Sequence, residues 1–184
     1  MKKVGRIRYR PTKMPSAISI ERRAVWVSSV AEALEKFIDK RYRGIAVLER
    51  GEMEERLVVV SPDAFAYVAM MLLNAVHGKE KIYFKIEAKG GRLELKITPS
   101  SIFKDDPCRE FDFIRAVRES GLEVDITDEE YVLFADIARP AVFHVYATSS
   151  EEMYAAFLRV CDILEEQNGQ SEGGTSTLDQ TRRL

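Results

Sequence analysis

Few residues in this 184-residue chain have the type and spacing that chemistry requires. Asp105 and Asp106 are adjacent acids that could hold a metal ion, although acids just before a proline more commonly form a loop or cap a helix. Ser100 and Ser101 have no histidine or lysine arrangement nearby that would mark a nucleophile. The sequence contains no P-loop, G-x-S-x-G, H-E-x-x-H or C-x-x-C pattern, so these signatures of phosphate binding, hydrolysis and zinc chemistry are excluded.

The two histidines and two cysteines are far apart in the sequence, which argues against a structural zinc site or a disulfide framework. His77 follows a predicted helix and is expected at the surface or in a cap. His144 lies in a β-rich run and is expected to be a partly buried core residue. The chain has only Cys108 and Cys161, no apolar run of membrane-spanning length and no signal-peptide core, which predicts a cytoplasmic protein without a membrane partner.

The composition predicts one compact domain with loose ends. With 46% apolar and 32% charged residues, the chain can form one domain of about 150 residues but not two. We predict a basic N-terminal arm over residues 1–17, a single domain over 18–165 and a disordered tail over 166–184. The tail is rich in Gly, Ser, Thr and Gln, so it buries too little apolar surface to offset its ordering entropy.

Charge is distributed unevenly along the chain. Residues 1–23 contain eight basic residues and the single acid Glu21, a balance of +7, which leaves −9 on residues 24–184 because the whole chain carries −2. The basic arm could dock an anionic partner, such as nucleic acid or an acidic protein, or it could fold back on its own acidic domain. The candidate partner-binding residues are Arg6, Arg8, Arg10, Arg22 and Arg23.

The first half of the domain predicts two helices between short strands. After an extended segment over residues 17–27, Ser28 or Ser29 is predicted to cap a helix, with Glu32 completing a capping box for Ser29. Two short β-rich runs follow, at residues 43–49 and 56–60.

A second helix is predicted to begin at Ser61, with Pro62 in its first turn, and to end at Gly78. Its apolar residues recur at helical spacing and form one broad stripe that faces the core. The stripe consists of Phe65, Val68, Ala69, Leu72, Leu73 and Val76.

The second half predicts two hairpins and two further helices. Gly90 and Gly91 join two alternating strands in a hairpin. A short helix over residues 112–119 follows and stops at Gly121, and the last helix is capped by Ser149 or Ser150 and ends near Glu165. The predicted strands are residues 82–88, 93–97, 122–126, 131–137 and 141–146.

The predicted order is β-α-β-β-α-β-β-α-β-β-β-α. Helices interspersed among hairpin-paired strands favour an α+β two-layer sandwich, in which a mixed sheet is covered by helices on one face.

That order, over about residues 18–140, resembles the ATPase domain of sensor histidine kinases, the GHKL fold. RLVVVSPDAFAYVAMMLLNAVHG resembles the strand that leads into the N-box helix of this family, and the hairpin over residues 81–98 resembles the next two strands. DFIRAVRESGLEVDITDEEYVLFADIARP resembles the closing helix, glycine, hairpin and proline. The resemblance implies a histidine-kinase-ATPase-like fold.

The functional residues of this family are mostly absent. Asn74 stands at the magnesium-binding asparagine of the N-box, but the second polar N-box position holds Met70. The family's D-x-G-x-G residues are replaced by Pro99, Ser101 and Phe103, so the resemblance implies a site without the adenine-binding aspartate and without clearance for the nucleotide. The intervening segment SSIFKDDPCREF contains no glycine, which leaves no place for the ATP lid or second glycine box.

Two functions remain after this comparison. The first is a non-catalytic regulatory or protein-interaction module in bacterial-type signalling that needs no cofactor. The second is a stand-alone kinase of the anti-sigma or sensor-kinase type, which would use Asn74 to bind ATP and Mg²⁺ in an unconventional pocket. Either function implies a protein partner, whose identity the sequence does not reveal. The sequence also leaves open whether the chain forms a homodimer.

Overall fold

The structure is a computed structural model that describes residues 14–76, 80–137 and 147–183. The predicted strand at 141–146 lies outside these ranges, as do His77, Gly78, His144 and the arm arginines Arg6, Arg8 and Arg10. The elements are β1 (Arg23–Trp26), α1 (Val27–Arg41), β2 (Ala46–Met53), β3 (Leu57–Val60), α2 (Pro62–Ala75), β4 (Ile82–Lys89), β5 (Arg92–Thr98), a 3₁₀ turn (Ser100–Phe103), α3 (Pro107–Ser120), β6 (Glu123–Ile126), β7 (Tyr131–Asp136) and α4 (Ser150–Arg183).

The predicted two-layer architecture is confirmed. Five strands form a mixed sheet in the order β2-β4-β5-β7-β6, in which β2 is parallel to β4 and the other neighbours are antiparallel. β1 and β3 form a separate antiparallel pair. Side chains alternate along β4 and β5, so that one face of the sheet is buried against the helices. The predicted inward residues Ile82, Phe84, Ile86, Ala88, Leu93, Leu95 and Ile97 are all buried.

Helix α2 lies at the centre of the core. The predicted stripe is buried, but so is every other residue from Pro62 to Ala75, because α3 and α4 both pack against α2. A helix that is covered on all sides needs apolar residues all round, which is why Met70 and Met71 are fully buried. On α4, Phe157 packs against Phe37 of α1 with ring centroids 4.8 Å apart.

Two predicted helix starts are confirmed by their hydrogen bonds. The Ser61 hydroxyl oxygen accepts from the Ala64 amide at 3.1 Å. Ser149 and Glu152 form a capping box before α4, since the Ser149 hydroxyl oxygen accepts from the Glu152 amide at 3.2 Å and the Ser149 backbone amide donates to the Glu152 carboxylate at 3.5 Å. Gly121 ends α3 with a φ of +102°, a left-handed conformation that favours glycine.

The predicted cap of α1 is wrong. The helix begins at Val27, so Ser28 and Ser29 lie inside its first turn. A distant segment supplies partners for amides at the start of the helix: the Val27 amide donates to the Arg56 carbonyl at 2.9 Å, and the Ser28 amide donates to the Glu55 carboxylate at 3.5 Å. Glu32, expected in the capping box, instead accepts a hydrogen bond from the hydroxyl of Ser150.

The last helix is longer than predicted. It continues past Glu165 to Arg183, although Leu164 is the last buried residue among the described side chains. The last buried side chain among those described therefore lies where the sequence places the end of the domain, while the helical backbone continues. Whether residues 166–184 are disordered in solution stays a prediction. None of the helices within the described ranges is both long and apolar enough to cross a membrane.

Candidate functional site

Asn74 lies near the end of α2 with its side chain turned into the protein. Its amide nitrogen donates to the Met70 carbonyl at 2.9 Å, and its amide oxygen accepts from the Tyr42 hydroxyl at 3.4 Å. Asn74 is only 9% exposed and Tyr42 is fully buried. Both polar atoms of the Asn74 amide therefore have partners inside the protein, a geometry that suits a structural role at the helix end.

The second N-box position is part of the hydrophobic core. The side chain of Met70 is fully buried, and its sulfur lies 3.9 Å from the sulfur of Cys161 on α4. A thioether surrounded by apolar side chains can neither accept a proton from a water molecule nor orient that water molecule for attack. The position thus contributes packing between α2 and α4.

Three aromatic rings fill the space next to the 3₁₀ turn that follows β5. Phe103 is 2% exposed, and its ring lies 5.2 Å from that of Phe113 on α3 and 6.2 Å from that of Tyr131 on β7. The rings of Phe113 and Tyr131 lie 5.2 Å apart. We call these three residues the aromatic cluster. Phe103 is the residue that the sequence resemblance aligns with the last glycine of D-x-G-x-G, and the structure buries its ring in this cluster.

The one hydroxyl group of the aromatic cluster, on Tyr131, forms a hydrogen bond within the protein. The Tyr131 hydroxyl donates to the Glu110 carboxylate of α3 at 2.6 Å. Burial raises the pKa of Tyr131 well above its usual value near 10, and the hydrogen bond to Glu110 and the charge of that carboxylate raise it further. This contact ties α3 to β7 across the cluster.

The raised pKa of Tyr131 predicts a loss of stability in alkaline solution. The folded protein keeps this phenol neutral above pH 10, whereas the unfolded chain ionises it near pH 10, so its contribution is complete below pH 10 and is lost as the pH rises further. Each pH unit above 10 should lower the free energy of unfolding by up to about 1.4 kcal/mol more in the wild type than in Tyr131→Phe. Urea titrations from pH 8 to 12 measure this, and parallel pH profiles would contradict it.

The loop before α3 is acidic. The prediction that one of the adjacent aspartates caps a helix is confirmed for Asp106, whose carboxylate accepts a hydrogen bond from the Arg109 amide at 3.0 Å. Asp105 is exposed. The amide at the start of α3 that could meet a phosphate therefore already has an anionic partner. Within the described ranges, no group of three or more His, Cys, Asp or Glu side chains could hold a metal ion.

A cleft of about 430 Å³ opens over this loop. Three acids, Glu80, Asp105 and Asp106, share its lining with two bases, Lys104 and Arg109. A triphosphate would meet a lining in which acidic residues outnumber basic ones, which disfavours binding of a polyanion. The cleft thus offers a polar surface without the features of a phosphate cradle.

The structure places the two described candidate arginines in different surroundings. The guanidinium of Arg22 lies beside the end of α3, where it donates to the Arg118 carbonyl at 3.4 Å. Arg23 lies 3.6 Å from the carboxylate of Glu21 and lines a separate polar cleft at the start of α2. Neighbouring residues point to opposite sides here, so Arg22 and Arg23 do not form one patch.

Two apolar residues beside Arg22 were missed by sequence reasoning. Ile20 is 58% exposed and Phe111 is 65% exposed, and both line the same surface groove as Arg22. Phe111 precedes the buried residues Phe113 and Val117 of α3 and lies off their face. A large aromatic residue off the buried stripe of an amphipathic helix is the signal that would have identified this surface.

The two cysteines are predicted to differ sharply in reactivity. Cys161 is fully buried, and its burial raises the pKa of the thiol to about 12, whereas Cys108 is exposed. Because the thiolate is the reactive form, an aromatic disulfide reagent at pH 8 should titrate one thiol in the native protein and two after unfolding. The Cys108→Ser variant should show none until it unfolds. Rapid reaction of Cys161 in the native protein would contradict this expectation.

Comparison with known proteins identifies similar structures. No family profile and no curated protein matches the sequence. The catalytic domain of the histidine kinase ThkA, in a nucleotide-free form, matches 66% of this chain and 99% of its own with 12% identity and a TM-score of 0.45. The histidine kinase AdeS of Acinetobacter baumannii matches 66% of this chain and 70% of its own with 11% identity and a TM-score of 0.42. Both of these proteins are histidine kinases.

Proposed function

We propose that this chain is a non-catalytic domain that acts as a regulatory or protein-interaction module in bacterial-type signalling and uses no nucleotide. The observation that carries the proposal is the aromatic cluster. Its Phe103 is buried at the position where a nucleotide-binding relative needs a glycine, and it packs against both α3 and β7. Opening a nucleotide pocket there would expose three aromatic rings to water.

The loss of phosphate and metal ligands supports the same proposal. Asn74 is hydrogen-bonded inside the protein, and Met70 belongs to the core. Magnesium sites in nucleotide-binding proteins normally combine carboxylates with substrate phosphates, and a single asparagine holds a hydrated Mg²⁺ weakly. The segment from Ser100 to Phe111 has no glycine with which to wrap phosphates.

The alternative is a stand-alone kinase of the anti-sigma or sensor-kinase type that binds ATP and Mg²⁺. One observation favours it: Asn74 is retained at the N-box position. Its long hydrogen bond to Tyr42, at 3.4 Å, is weaker than an ideal one and could be exchanged for a ligand.

A phosphoryl-transfer assay separates the two functions. The purified protein is incubated with γ-labelled ATP and millimolar Mg²⁺, alone and with a mixture of serine-, histidine- and aspartate-containing acceptor proteins. A non-catalytic module releases no phosphate and labels neither itself nor an acceptor above the level of a heat-denatured sample. Release or transfer that Asn74→Ala abolishes would establish the kinase alternative.

A further inference from the structure

The two most exposed large apolar residues of the described ranges line one groove. Phe111 on α3 and Ile20 in the segment before β1 are 65% and 58% exposed, and the partly buried Ile114 also lines the groove. The groove has a volume of about 520 Å³. We call it the α3 groove. Two large apolar side chains exposed on the same depression are unusual on a protein surface without a partner.

The charged side chains that line the α3 groove are mostly basic. Arg22, Arg115 and Arg118 face a single acid, Glu119. Arg115 also lies 2.8 Å from Asp112, and Arg118 lies 3.9 Å from Glu123. These side chains remain 37% and 63% exposed, and a guanidinium has five N–H donors, so both arginines keep donors for a ligand.

The walls of the α3 groove are held in place. Arg22 packs over Gly121, where a Cβ atom would lie 3.0 Å from the Val59 carbonyl and 3.3 Å from the Arg22 guanidinium. The guanidinium of Arg115 lies 5.6 Å from the centre of the Phe111 ring, within the range of a cation–π contact. A surface that is ordered before binding loses less conformational entropy when a ligand binds.

We propose that the α3 groove binds an acidic peptide segment of a partner protein. A bulky apolar side chain of that segment lies between Ile20 and Phe111, and its carboxylates pair with Arg22, Arg115 and Arg118. Arginine and aromatic residues are the types that dominate the energy of protein interfaces, and the arginine fork matches a carboxylate. This inference rests on the proposed function, because it assigns the interaction surface of a module that does not use nucleotide.

Charge disfavours two other occupants of the groove. The arm of this chain, residues 1–13, contains six basic residues and no acid, so it has the wrong sign. A second copy that paired through the neighbouring edge strand β6 would bring Glu123 and Asp125 against their own equivalents.

The experiment screens two libraries of twelve-residue peptides against the full chain. In one library, aspartate and glutamate alternate with large apolar residues; in the other, lysine and arginine replace the acids. Binders are measured by fluorescence anisotropy at 50 and 300 mM salt. We expect binders from the acidic library alone, with weaker binding at high salt and about tenfold weaker binding to Phe111→Ser and to Arg115→Gln.

Matched variants on the open face of the sheet serve as controls. Tyr83→Ser removes an aromatic residue that is 50% exposed, and Lys85→Gln removes a cation, and neither should change binding by more than about twofold. The proposed peptide site is overturned if no acidic peptide binds or if basic peptides bind equally well. It is also overturned if Phe111→Ser binds the peptides as tightly as the wild type does, or if a labelled single-stranded oligonucleotide displaces them. Phosphoryl transfer from ATP would instead overturn the proposed function, so the two failures are distinguishable.

Discussion

We expect the Phe103→Ala variant to lose about 3–5 kcal/mol of the free energy of unfolding. The Phe103 ring is 2% exposed and packs against Phe113 and Tyr131, so truncation removes buried apolar surface and leaves a cavity. A residue that borders a nucleotide pocket would contribute much less, because its removal would only enlarge a space that is already open to water. Urea-induced unfolding followed by circular dichroism measures the difference.

Phe111→Ala is the matched control for this variant. It also truncates a phenylalanine to alanine, but at a position on α3 that is 65% exposed. The free energy of unfolding should therefore change by no more than about 0.5 kcal/mol. Equal stability of Phe103→Ala and Phe111→Ala would mean that the aromatic cluster is not a packed part of the core. The space at the end of β5 would then be available to a ligand.

The Met70→Asn variant, which restores a polar residue at the second N-box position, should be destabilised by at least about 3 kcal/mol and should gain no affinity for ATP. Met70 is fully buried beside Cys161, so the substitution removes apolar packing and places an amide where apolar side chains surround it. Loss of a buried methionine costs about 2–5 kcal/mol, and a buried polar group without a partner adds about 1–3 kcal/mol. Thermal and urea unfolding give the stability change.

Leu158→Asn on α4 is the control for Met70→Asn. Leu158 is 37% exposed, so an amide there remains in contact with water, and the stability should change by less than about 1 kcal/mol. A Met70→Asn variant as stable as the wild type would mean that water or a polar partner reaches this position. It would then resemble the active N-box of a kinase.

Local sequence patterns predicted the strands of the sheet and the starts of α2 and α4, whereas α3 begins at Pro107, five residues before the predicted segment 112–119. The alternation along β4 and β5 identifies their buried residues, and the Ser61-Pro62 pair marks the start of α2, because these signals depend only on neighbouring residues. The start of α1 could not be predicted in this way. Its first amide is satisfied by the carbonyl of Arg56, 29 residues away in the sequence, which makes a serine cap unnecessary.

The surroundings of the candidate site were only partly predictable. The sequence indicated that Phe103 would fill space, but not that Phe113 and Tyr131 would enclose it, since these rings come from separate elements. Likewise, Asn74 follows the motif by position, while its engagement by Tyr42 depends on the packing of α2 against the residue that ends α1. Contacts between distant elements decide whether a residue at a motif position is free to act.

The most direct measurement of the central claim is an equilibrium titration of the purified full chain with fluorescently labelled ATP at 5 mM Mg²⁺. Wild type, Asn74→Ala and Phe103→Ala are compared by anisotropy, with unlabelled ATP as competitor. We predict no saturable binding at up to about 1 mM nucleotide, which corresponds to less than about 4 kcal/mol of binding free energy. A micromolar dissociation constant that unlabelled ATP competes and Asn74→Ala abolishes would contradict it.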